Sequence, residues 1–71
     1  MKDIDTRYLR YIPKKMVPYL IYLDRCDNSC DGSHVYFVGF EKDGIEYPVE
    51  PADTVSEITW NCKQMKKEMG L

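Results

Sequence analysis

The sequence has one histidine, one tryptophan and two phenylalanines, and no apolar run long enough to cross a bilayer. A membrane span is therefore not expected. The opening Met1-Lys2-Asp3-Ile4-Asp5 puts charge where a secretory leader needs apolar residues, so a cytoplasmic setting is expected. Three cysteines are an odd number for a secreted disulfide scaffold, and a reducing compartment would keep them as thiols or metal ligands. No glycine-rich stretch could cradle a phosphate, and there is neither an internal repeat nor a low-complexity segment. The lone His34 has no serine or acid at a spacing that suggests a triad. The acids Asp24, Asp27, Asp31, Glu41 and Asp43 fall where loops and turns are read, and solvated carboxylates are ordinary there. These absences lead to the expectation of a protein that is not an enzyme and carries no cofactor.

What is present fits a single small domain over residues 1–71. Hydrophobic residues make up 44% of the chain, enough for a modest core and too many for a disordered segment. A domain this short is marginal unless it packs well. Six tyrosines supply bulk and keep a hydroxyl for the surface, a choice favoured at binding faces. Charge is distributed unevenly: residues 1–18 carry +3, residues 19–54 carry −6 and residues 55–71 carry +1. A basic arm over 1–12, free to be flexible, is thus followed by an acidic middle and a near-neutral tail.

The pattern predicts an α+β fold. Pro13 suits the first position of a helical turn and Pro18 ends it, giving one short turn over 13–17. Residues 19–23, with two tyrosines and no polar face, read as a first strand. A polar loop over 26–33 leads into a strand over 34–41, which is apolar on both faces near its middle and so is placed centrally. Lys42-Asp43-Gly44 makes a turn into a strand over 45–49, where Pro48 restricts it to an edge. Thr54 and Glu57 fit a capping box. Val55, Ile58, Cys62, Met65 and Met69 form one helical stripe, which Gly70 ends. The expected architecture is a short N-terminal helical turn, a three-stranded antiparallel meander, and one C-terminal amphipathic helix packed on the sheet.

Several constellations could carry chemistry. Cys26, Cys30, His34 and Cys62 make a legitimate tetrahedral zinc set, although Cys62 lies on the apolar stripe of the helix, where a core cysteine is the plain alternative. Asp27-x-Ser29-x-Asp31-Gly32 matches the first half of a calcium loop, but Val38 stands where the bidentate glutamate belongs. Arg7, Arg10, Lys14 and Lys15 interleave with Tyr8 and Tyr11, a pattern that can stack bases and neutralise phosphates. The acidic middle and the net charge of −2 oppose nucleic-acid binding. Trp60 lies about 140° around the helix from Val55, off the apolar stripe, beside Glu57, Asn61 and Gln64. A tryptophan so placed is a natural anchor for a protein partner, with Tyr19, Tyr22, Tyr36 and Tyr47 as further candidates. The strand over 45–49 could pair with its copy in a homodimer, although Pro48 and Glu46 oppose that.

Two resemblances bear on these residues. Cys30-Asp31-Gly32-Ser33-His34 resembles the pentapeptide of the CDGSH iron–sulfur family, which holds a two-iron cluster through three cysteines and the histidine of that motif. The resemblance implies Cys30 and His34 as ligands. The family's upstream Cys-x-Cys pair is missing; Cys26 sits four residues before Cys30 and Cys62 far downstream. The order Ile12-Pro13-Lys14-Lys15, strand, hairpin, Glu50 and Asp53-Thr54 opening a helix is similar to short proteins of phages and prophages. That likeness implies an accessory protein acting by binding. The expected function is a protein-binding module, such as an inhibitor or regulator of a larger host protein like a defence complex.

Overall fold

A computed structural model describes residues 3–28 and 30–71. The elements in order are β1 (Asp3–Ile4), a 3-10 helix (Thr6–Tyr11), a second 3-10 helix (Val17–Tyr19), β2 (Leu20–Asp27), β3 (His34–Lys42), β4 (Ile45–Pro48) and α1 (Val55–Glu68). The sheet order is β1-β2-β3-β4; β1 runs parallel to β2, and the other pairs are antiparallel. The fold is the expected α+β arrangement, with meander β2-β3-β4, helical turns before it and the helix after it.

Residues 3–12, within the 1–12 segment expected as a basic arm free to be flexible, carry β1 and the first 3-10 helix. Two residues have no periodicity to read, so β1 leaves no trace in the sequence; Asp5 N–H donates to the Leu23 carbonyl at 2.7 Å and fixes the crossing. Asp5 then caps the 3-10 helix by accepting from Arg7 N–H at 3.0 Å. The 13–17 turn is present, with Met16 N–H on the Pro13 carbonyl at 2.9 Å. Pro18 does not end it; it sits inside the second 3-10 helix, where its fixed φ is already suitable.

Strand β2 runs to Asp27, four residues beyond the 19–23 expectation, and starts one residue later. Asp24, Arg25, Cys26 and Asp27 are exposed and lack the apolar density of a strand. Pairing with Phe37, Tyr36, Val35 and His34 holds them there. Leu20 and Leu23 are both buried although alternation would send them to opposite faces; a register irregularity at Ile21 supplies the extra residue. Asp43 (φ 55°) and Gly44 (φ 79°) give the tight turn two consecutive positive φ values, matching the twist of the hairpin. β4 lies at the edge, as Pro48 requires. Val49 N–H donates inward to the Val38 carbonyl at 3.0 Å, so alternation turns the proton-free nitrogen of Pro48 outward.

Helix α1 begins where Thr54 Oγ1 accepts from Glu57 N–H at 3.2 Å, while the Glu57 carboxylate reaches back to Asp53 N–H at 3.2 Å. The reciprocal partner is thus one residue earlier than in the standard capping box. It ends with Leu71 N–H on the Lys66 carbonyl and Gly70 N–H on the Lys67 carbonyl, the paired bonds of a Schellman terminus. Ile58, Cys62 and Met69 are buried, and Val55 and Met65 pack partly against the core. The core lies on one side of the sheet, here the inner face, between Leu20, Leu23, Tyr36, Val38 and Phe40 of the strands and Ile12, Met16, Ile58, Cys62 and Met69 above them.

Candidate protein-binding faces

Strand alternation assigns the opposite, outer face of the sheet. Cys26 pairs with Val35, Asp24 with Phe37, Tyr22 with Gly39 and Gly39 with Pro48, and Glu41 with Glu46. Phe37 is 39% exposed, and Tyr22 and Val35 are half-buried. None of the three belongs to the core or packs against it. A Cβ built on Gly39 would overlap the Tyr22 ring, so the ring lies flat across the backbone of β3 and glycine is required beneath it. A shallow hollow at the hairpin end is lined by Cys26, Asp27, Asn28, Val35 and Phe37.

The charged side chains among these paired outer positions are all acidic: Asp24, Glu41 and Glu46. Glu41 and Glu46 stand directly opposite each other, an arrangement that destabilises a sheet. Among the described residues the ion pairs are Arg7 with Asp5, Arg25 with Asp27, and Lys42 with Asp43, so none neutralises this face.

A second exposed surface lies on α1. Thr59 Oγ1 donates to the Tyr11 carbonyl at 2.8 Å, and Asn61 Nδ2 donates to the Glu50 carbonyl at 3.1 Å. These two bonds tie the helix to the body on either side of Trp60, which points away between them and is 64% exposed. Lys63 and Gln64, one turn on, share its surface and are exposed. A cleft lined by Pro48, Glu50, Asn61, Gln64, Met65 and Glu68 runs beside this surface toward β4.

The chain matches no family model, no curated protein and no solved structure. The site therefore has to be read from its own residues. The candidate anchors do not form one patch. Trp60 is on the helix and Tyr22 on the outer sheet face, while Tyr19 and Tyr47 pack partly against the core. Tyr36 is 5% exposed, so it is a core residue and offers no surface to a partner.

The cysteine and histidine set is likewise dispersed. Cys26 lies opposite Val35 on the outer face and His34 opposite Asp27 on the inner one. Cys62 is fully buried among apolar side chains, and that burial pushes its thiol up to about 12. Among the described residues, no three His, Cys, Asp or Glu side chains gather as a metal site. The pentapeptide acts as a turn: Cys30 N–H donates to Asn28 Oδ1 and Ser33 N–H to Asp31 Oδ1, both at 2.9 Å. The Ser29 position of the calcium-like loop lies outside the described residues.

The basic segment is engaged with its own neighbours. The Arg7 guanidinium forks onto Asp5, with its closest contact at 2.7 Å, and holds that carboxyl below its ordinary range. Arg7 and Arg10 also lie over the rings of Tyr8 and Tyr11. Tyr8 meets Tyr36 edge-on at 5.0 Å, and His34 meets the same ring at 5.2 Å. Arg25 reaches the Tyr8 hydroxyl and Asp27, which together raise its pKa.

Phe37 is not among the sequence candidates, and Asp24 and Glu41, expected as ordinary carboxylates of loops and turns, lie instead in β2 and β3 on one face with Glu46 of β4. The signal was available: once 34–41 is taken as a strand, positions 35, 37, 39 and 41 share a face. Spacing alone does not tell that no described residue packs that face into the core.

Proposed function

We propose that this chain is a non-enzymatic protein-binding module, in keeping with an inhibitor or regulator of a larger host protein of the kind its phage-like segment order implies. The observation that supports this reading best is Trp60. It is the most exposed of the large hydrophobic side chains in the described structure, on a helix whose flanking bonds aim it away from the body. Burying such a ring in a partner's pocket yields the kind of free energy that anchors an interface. The aromatic outer face of the sheet supports the same function from the other side.

The test is a Trp60→Ala variant of the full chain, compared with the parent by melting and by crosslinking capture from host extract. The expected result is an unchanged melting midpoint with loss of the captured protein. Capture that persists at the parent's level removes Trp60 from the interface.

A further inference from the structure

The outer face of the sheet has a feature that the fold does not use. β3 is apolar on both faces through Val35, Tyr36, Phe37 and Val38, a pattern that belongs to strands covered on both sides. Helix α1 and the 3-10 helices cover the inner face, and no part of the described chain packs Val35, Phe37 or Tyr22 into the core. On the same face Glu41 and Glu46 oppose each other across the β3–β4 pair, a cost in the free protein that none of the ion pairs among the described residues offsets.

We propose that this face docks an arginine-bearing basic segment of the partner protein, with guanidinium groups stacked on Phe37 and Tyr22 and paired with Asp24, Glu41 and Glu46. This rests on the protein-binding reading but concerns a surface remote from Trp60. A planar, weakly hydrated cation suits both halves of the surface, because it stacks on aromatic rings and presents its donors in a fork to carboxylates. Tyr22 is already held flat over Gly39, so less side-chain freedom is lost when a partner lands on it. Contact is through the face of the sheet and not its β4 edge, where the outward nitrogen of Pro48 has no proton to donate to an added strand. A second copy meeting the first through the same face would set carboxylates against carboxylates, which disfavours self-pairing there.

The experiment is a nitrogen-15 correlation-spectrum titration of the full chain with three blocked ten-residue peptides, in which alanine alternates with arginine, lysine or glutamate. The expected result is shift changes centred on Tyr22, Val35, Phe37 and Glu41. They should weaken with salt, be several-fold tighter for arginine than for lysine, and be absent for glutamate. A Glu41→Gln, Glu46→Gln double variant should bind the arginine peptide several-fold more weakly and melt at the same temperature or higher. Shifts centred elsewhere, equal affinity of parent and double variant, or a lowered melting point in the double variant would each overturn the proposal. So would concentration-dependent self-association in sedimentation velocity that Phe37→Ser abolishes, since the occupant would then be a second copy. Because these readouts do not involve Trp60, their failure leaves the Trp60 assignment standing, and the reverse also holds.

Discussion

The two faces of this sheet are made from alternating residues of the same strands, yet they do different work. On the inner face Leu23, Val38 and Phe40 meet the helical layer and are excluded from water. On the outer face, one residue along, Tyr22 and Phe37 meet no second layer among the described residues and share the face with the acids Asp24, Glu41 and Glu46. An aromatic residue inside a strand therefore says little about its role until the covering layer is known. Phe40 and Phe37, the only phenylalanines, have opposite surroundings.

The sharpest way to break the contrast is to truncate each ring in turn. Phe40→Ala should cost about 3–5 kcal/mol. A domain of this length has about 4–10 kcal/mol in all, so urea titrations of the variant should show the loss of roughly a third of that stability or more. Phe37→Ala should cost less than about 1 kcal/mol. Equal losses at the two positions would mean that the outer face is part of the core after all.

Gly39 joins the two faces, since it is buried by an outer-face ring. Gly39→Val must displace Tyr22 and should cost about 1–3 kcal/mol, while pairing with Tyr22→Ala should recover much of that loss. Additive losses in the double variant would show that the ring does not lie where it is described.

The thiols allow the comparison without touching an aromatic. Cys62→Ser places a hydroxyl among apolar side chains and should cost about 1–3 kcal/mol, whereas Cys26→Ser should change stability by less than about 0.5 kcal/mol. In the parent, Ellman's reagent should modify the exposed Cys26 and Cys30 rapidly and reach Cys62 only on unfolding. Cys62 is neutral in the fold and its pKa is raised from 9.0 to about 12, so its contribution is intact below about 9. It is lost as pH rises toward about 12, because the unfolded thiol ionises first. Urea midpoints measured across that interval should fall, and Cys62→Ala should flatten the decline.

The smallest effect runs the other way. Glu41→Gln relieves the cross-strand repulsion and should stabilise the chain by about 0.2–1 kcal/mol, less in high salt. A loss of stability would reveal a cation on the outer face.

Much of the fold could be read from the chain because its signals are local. The hairpin turn, the capping threonine, the stripe from Val55 to Met69 and the edge position of Pro48 each follow from spacing or backbone chemistry. The extension of β2 through Asp24–Asp27 did not, because polar residues enter a strand only when a neighbour supplies the ladder. The tertiary packing of the N-terminal segment was invisible for a related reason: Tyr8 and Ile12 acquire meaning only against Tyr36 and α1. The anchors were named by type and not by place, so Tyr36 was counted with the tyrosines of the surface while Phe37, its neighbour, was passed over. Alternation fixes that a pair of adjacent strand residues faces opposite ways; only the position of the helix decides which of them is wet.

The bond from Thr59 to the Tyr11 carbonyl spans 48 residues of sequence. Together with the burial of Ile12 and Met16 beside Ile58, Cys62 and Met69, it makes the earliest-synthesised layer of the domain depend on the latest. During translation residues 6–16 emerge long before the surface that shelters them exists. Tyr8, Leu9, Tyr11 and Ile12 complete their packing only against a core that includes residues of α1. The Thr59–Tyr11 contact is therefore among the long-range ones of this fold, the kind whose loop-closure cost slows folding.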